Sequence, residues 1–290
     1  MRLNGRRSSN NVEDRRGRGG IGKSIGIGGG ITGIVVVVLL TLFSGGNPLD
    51  IIRQAGFSDY GGQNITQNYQ PTVHEEELAE FTAKILAGTE DVWTKVFNEM
   101  GMAYEPPKLV LYTGSVNSAC GNATSQVGPF YCSADQTVYI DLSFFDQMER
   151  QMGAGGDFSY AYVVAHEVGH HVQNLLGQLS AAHNAMARSS ERDANRISVR
   201  TELQADFYAG IWAYYDNEMF DSLEPGDIEE GINAASRIGD DYLQKQAQGY
   251  AVPDSFNHGT SAQRVRWLER GARSGDMSLG DTFSVAYEQL

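Results

Sequence analysis

The residues of this 290-residue chain best suited to chemistry are two histidines four apart with a glutamate beside the first, in His166-Glu167-Val168-Gly169-His170. Residues i and i+4 share a helical face, so both imidazoles reach a single ion at the roughly 2.0 to 2.1 Å that zinc–nitrogen bonding requires. Catalytic zinc usually takes a third protein ligand and leaves the fourth position to water, whose pKa it lowers toward about 7. Glu167 is then placed to take that water's proton as general base. The chain has six histidines, so an H-E-x-x-H match is rare by chance. The surrounding stretch, YVVAHEVGHHVQNLLG, is apolar enough that a carboxylate inside it needs a cation nearby.

Candidates for the third ligand are His171, His183, His258 and the acidic pair Glu202 and Asp206. His171 follows His170 directly and points about 100° away on a helix, which suits packing or support better than ligation. The acidic pair is preferred, because Glu202 and Asp206 lie four apart in a second apolar helical stretch and face the same way. Glu202 is assigned as ligand. Asp206 is assigned as the carboxylate that accepts the free N–H of a ligand histidine and fixes its tautomer. The expected cofactor is one Zn2+ per chain. Gln173 and Leu176 stand where a metzincin would carry Gly and His, which excludes that subclass. Gly169 costs about 1 kcal/mol relative to Ala within a helix, and a close backbone neighbour would explain its presence.

The elements that must position these groups are mostly helical. Apolar residues recur at helical spacing over residues 75 to 87 and 89 to 100, divided at Gly88 and Thr89, which predicts two packed helices. KLVLYT from Lys108 and TVYIDLSFF from Thr137 read as strands of a small sheet. After Asp157, taken as an N-cap, helices are expected over 158 to 176, 191 to 217, 227 to 247 and 261 to 272. Cys120 and Cys132 flank a folded-back segment and could cross-link it, and two cysteines are too few for a structural zinc site. Residues Gly128 to Cys132 read as an edge strand able to pair with extended peptide, or as a core hairpin.

Charge is uneven along the chain. Seven of the 22 basic residues and two of the 36 acidic ones lie in the first 23 positions, leaving 15 against 34 in the remainder. So acidic a body would repel phosphate backbones, and nucleic acid is discarded as a partner. Residues 24 to 44 carry no ionisable side chain, and ITGIVVVVLLTLF from Ile31 is as apolar as a bilayer core. The expected organisation is a basic cytoplasmic tail over 1–23, a transmembrane anchor over 24–44 in contact with lipid, a flexible linker over 45–72 and a folded domain over 73–290. This predicts a single-pass inner-membrane protein with its catalytic domain periplasmic or extracellular.

HEVGHH followed by ELQAD resembles the gluzincin metallopeptidases. Together with the Arg-rich start, CGNATSQVGPFYC, TELQADFYAGIW and HGTSAQRVRW, nearly the whole chain resembles the bacterial neutral zinc metallopeptidases of the YpfJ type. The resemblance implies an α+β fold, a mostly helical zincin-like domain with a small antiparallel sheet, here preceded by one N-terminal transmembrane helix. It implies His166, His170 and Glu202 as ligands, Glu167 as the catalytic glutamate and hydrolysis of a peptide or protein substrate. Related metallopeptidases also supply a His or Tyr that stabilises the oxyanion, for which Tyr250 and His258 are the candidates. The competing reading is a membrane-anchored binding or chaperone module that keeps the metal but does not turn over.

Overall fold

The computed structural model of the chain describes residues 1–18 and 69–290. Strand β1 (Val12–Asp14) is followed there by helix α1 (Val73–Glu99) and strands β2 (Lys108–Tyr112), β3 (Ser115–Ser118), β4 (Gly121–Thr124), β5 (Phe130–Cys132) and β6 (Thr137–Asp141). Helices then dominate: α2 (Ser143–Met152), α3 (Asp157–Leu175), α4 (Gln178–Met186), α5 (Glu191–Phe220), α6 (Asp227–Arg237), α7 (Asp240–Gln248) and α8 (Ser261–Ser274). The protein is α+β and mostly helical, with small sheets.

The main sheet has the order β1-β2-β6-β5. It is mixed rather than antiparallel as expected: β1 with β2 and β2 with β6 run parallel, and only β5 with β6 runs antiparallel. Apolar β-branched runs mark where strands are, but their direction follows from how the connections cross over. The period of two decides the layers. Leu109, Leu111, Val138 and Ile140 point into the helical core, while Val110, Tyr112 and Tyr139 pack with Val116 and Ala123 of the β3–β4 hairpin.

The two helices expected over 75 to 100 are one. Thr72 caps α1 in a reciprocal capping box with Glu75, and Gly88 passes through its middle facing Arg6 and Asp216 instead of ending it. The reverse holds over 227 to 247, where α6 and α7 are separate. The strand expected to reach Phe145 ends at Asp141, whose Oδ1 accepts the Ser143 N–H at 3.0 Å and opens α2. Gly156, not Asp157, caps α3, with Asp157 in its first turn.

A disulfide joins Cys120 to Cys132 and ties the tip of the β3–β4 hairpin to β5. Replacing both cysteines by alanine is expected to lower stability by about 2–3 kcal/mol, the chain-entropy effect of opening so short a loop. Urea unfolding checks this, with the midpoint expected to fall.

The first residues form part of the same body. β1 pairs with β2, Arg6 Nη2 lies 2.8 Å from buried Asp216, and Arg7 Nη1 lies 2.8 Å from Glu90. The Met1 amine reaches Asp157 at 2.5 Å and Asp227 at 3.3 Å. This corrects the single-pass placement. One crossing over 24–44 would put a cytoplasmic tail and the domain on opposite faces of a bilayer, yet residues 1–18 share a sheet with the domain. Among the described residues no helix is long and apolar enough to cross a membrane. The anchor over 24–44 and nearly all of the expected linker lie outside the described residues.

Candidate metal centre

Helix α3 runs through the core, burying Ala161, Val164, Ala165, Val168 and Val172, so its polar groups meet neighbouring helices rather than water. A Cβ added at Gly169 would lie 2.9 Å from the Ala205 carbonyl oxygen and 3.2 Å from Ala205 Cα. Glycine here lets the backbones of α3 and α5 touch. The contact at Ala205 sets Glu202 and Asp206, on either side of it in sequence, against the two histidines.

His166, His170 and Glu202 offer three ligand atoms that all lie within 4.8 Å of one another. His166 Nε2 is 3.2 Å and His170 Nε2 3.5 Å from the two Glu202 oxygens. The remaining ring nitrogens are held from behind, His166 Nδ1 by Asp206 Oδ1 at 2.8 Å and His170 Nδ1 by Gln173 Oε1 at 2.9 Å. Both imidazoles therefore turn Nε2 toward Glu202, the tautomer and orientation a metal ligand needs.

The same groups answer one another in charge. Burial pulls His166 down, but Asp206 and Glu202 outweigh it and hold the ring up to about 10. His170 is raised against the same burial penalty, chiefly by Glu202. Burial opposes ionisation of Glu202, yet His170 and His166 keep it well below the usual carboxylate range. Glu167, 8% exposed, is raised by burial, with His170 and His166 opposing. Among the described residues no group donates a hydrogen bond to its carboxylate.

Asp206 is the hub behind the cluster. Its Oδ1 also accepts from Tyr162 Oη at 2.5 Å and Arg264 Nη2 at 2.9 Å, and its Oδ2 accepts from Arg264 Nε at 2.8 Å. Arg264 comes from α8, whose crossing with α5 is close because a Cβ on Gly271 would run into the Phe207 carbonyl. Gln173 is braced in turn, its Nε2 donating to Thr201 O at 2.7 Å and to Gln204 Oε1 at 3.0 Å. Tyr162, Gln173 and Arg264 join the site without a motif to mark them as part of it. Only Gln173 carried a local signal, standing three residues after His170 on the same face.

The other candidates separate. His258 is buried and lines the cleft beside the cluster, its Nδ1 fixed by Asp240 Oδ1 at 3.0 Å. The second Asp240 oxygen accepts the backbone N–H groups of Asn257, His258 and Gly259 at 2.8, 2.7 and 3.0 Å, so one carboxylate sets the whole loop. Tyr250 is 61% exposed and lies away from the residues lining the cleft, so it is not brought to the site. His183 lines the cleft but stands outside the ligand group. His171, fully buried, bonds Glu105 O through Nε2 at 2.7 Å and Tyr131 Oη through Nδ1 at 2.9 Å, which fastens β5 to α3. Asp157, Asp227 and Glu230 form a second acidic group, and the Met1 amine lies against the first two.

A family model described as "Putative neutral zinc metallopeptidase" matches residues 1–283. The chain belongs to this family. It is 47% identical over 288 residues to the uncharacterized protein YpfJ of Escherichia coli K12, covering 98% of this chain and 99% of that one. It is 44% identical over 193 residues to the uncharacterized protein Mb2605 of Mycobacterium bovis, covering 63% of this chain and 64% of that one. No solved structure matches. The family implies zinc, and two imidazole nitrogens with one carboxylate are a donor set suited to zinc with a fourth position left open.

The brace on His170 carries a test. Gln173→Ala is expected to weaken zinc binding by about 10- to 100-fold, the usual effect of losing a group that orients a metal-bound histidine. Competition with a chromophoric chelator measures it, and unaltered affinity would remove Gln173 from the site.

Proposed function

We propose that the chain is a zinc-dependent endopeptidase in which His166, His170 and Glu202 hold the metal and Glu167 is the general base. The observation that carries this reading is Glu167 itself, a buried carboxylate one residue from His166, lining the same cleft as the three ligands. A purely structural zinc site closes with four protein ligands and has no use for such a base.

Bound zinc would supply a Lewis acid that polarises the scissile carbonyl and acidifies the attacking water. Glu167 takes a proton from that water and returns it to the amine that leaves, so hydroxyl ends on the acyl product and hydrogen on the new amino terminus. His258, its Nδ1 set by Asp240, lines the same cleft, and in its imidazolium form it donates from Nε2 to the oxygen that gains charge. Asp206 and Gln173 keep the ligand histidines in register throughout.

The test uses the full chain. It is expected to bind one zinc, to cleave an unfolded protein, to stop when a chelator strips the metal and to resume when zinc is returned. Full zinc with no cleavage of any unfolded substrate would favour the non-catalytic binding module instead.

A further inference from the structure

The cleft that contains the metal ligands encloses about 250 Å³, and its walls are unlike its floor. The floor is ionic. The walls are made by Phe130 at the edge of the sheet, Phe144 at the start of α2, Val163 one turn ahead of His166, Leu179 and Met186 of α4, and Ile238 after α6. Phe130, Phe144, Met186 and Ile238 are only partly buried in the chain alone, so they retain apolar surface that the fold has not covered. Covering such surface is favourable at about 25 cal/mol per Å².

Asn195, Ser198, Thr201 and Asn257 also line the cleft, but among the described residues no unpaired charge is there to meet a charged side chain. Its ionisable groups belong to the ligand cluster and its base, to the Arg264–Asp206 pair or to the His258–Asp240 pair. Tyr131 is bonded to His171 and Tyr162 to Asp206, which leaves His183, whose buried Nε2 has no hydrogen-bond partner among the described residues. That nitrogen is turned away from the open space of the cleft, so a Lys or Asp side chain placed here would lose its hydration without a counter-ion.

Resting on the peptidase reading, we infer that the substrates are extended segments carrying large apolar side chains beside the scissile bond, and that charged residues there are rejected. Such segments are buried in folded proteins and available in unfolded ones, so the same walls select for substrate that has lost its fold. β5, held to α3 through Tyr131 and His171, keeps the Phe130 wall at a fixed distance from the metal ligands.

The experiment measures binding and cleavage separately. Binding is read by fluorescence anisotropy on the full chain carrying Glu167→Gln, with labelled peptides that differ only in having Phe, Leu, Ala, Asp or Lys at the two central positions. The Phe and Leu peptides are expected to bind at least about tenfold more tightly than the Asp and Lys peptides, the scale of discrimination an apolar pocket achieves. Adding Met186→Glu, or separately Phe144→Ser, should remove most of that preference while zinc content holds. Equal binding across the series, or a ranking untouched by both wall substitutions, overturns the inference. Cleavage by the native chain is scored on the same peptides. Apolar ranking in binding with no cleavage defeats the peptidase reading alone, and cleavage without apolar ranking defeats this inference alone.

Discussion

A Glu167→Gln chain is expected to keep its full zinc and to lose about 10²- to 10⁴-fold in cleavage rate, the range that a positioned general base contributes. The substitution keeps shape and removes the ionisable oxygen. Glu167 stands outside the group of atoms that offers ligands, so metal content should not change. Its environment also suits a base: burial raises its affinity for a proton while His170 and His166 restrain the rise, which brings it closer to neutral working conditions. Zinc per chain and the initial rate on an unfolded protein, measured on the same preparation, are the two readings needed. A variant that cleaves at the native rate would put the base elsewhere, and one that loses its zinc would make Glu167 part of the metal's support.

Asp206→Ala should be the most damaging single change to the fold near the site, costing about 3–5 kcal/mol, because it leaves a buried guanidinium without its counter-ion. Arg264 is 3% exposed and Asp206 fully buried, so water cannot replace the lost carboxylate. Tyr162 Oη and His166 Nδ1 lose their acceptor in the same step. Zinc binding should fall by about 10- to 100-fold as His166 is freed to turn. Urea unfolding of metal-free protein isolates the first effect, since bound zinc would otherwise add its own stabilisation to the native state. If the metal-free variant is as stable as metal-free native protein, Asp206 acts through the metal alone. Tyr162→Phe, which removes the hydrogen bonds to Asp206 and from Arg264 but no charge, should cost only about 1–2 kcal/mol and serves as the scale.

Residues that meet within one helical turn were legible from the sequence. His166 and His170 share a face by spacing with Glu167 three residues before the second, and Glu202 and Asp206 share one on the facing helix. Gly169 was read as needing a close neighbour, and Ala205 supplies it. The residues that escaped are those that distant segments deliver. Arg264 reaches Asp206 only because α8 crosses α5, and Asp240 reaches His258 only because α7 folds back on the following loop. No local period announces either. Tyr250 illustrates the converse, a residue chosen for its chemistry that the chain leaves in solvent.

The amino-terminal charges were misread for a related reason. Arginines crowded before an apolar run look like a bias toward one side of a bilayer, but Arg6 and Arg7 answer Asp216 and Glu90, acids that the fold alone brings near. A charge count along the chain cannot tell a counter-ion in space from an absent one. Strand direction was hidden likewise, since β1 and β2 run parallel through a connection that spans α1.

That arrangement has a consequence for the order in which the protein is made. β1 is made before its partners, for Val12 pairs with Leu109, Arg6 waits for Asp216, and the Met1 amine waits for Asp227. Contacts so far apart in sequence form slowly, because the loop between them must be closed before they give anything back. The arm that carries β1 is thus held in stages, by β2 once Leu109 has been made and by α5 and α6 only later. Until α1 and β2 have been made, the arginines of this arm find partners only in Glu13 and Asp14.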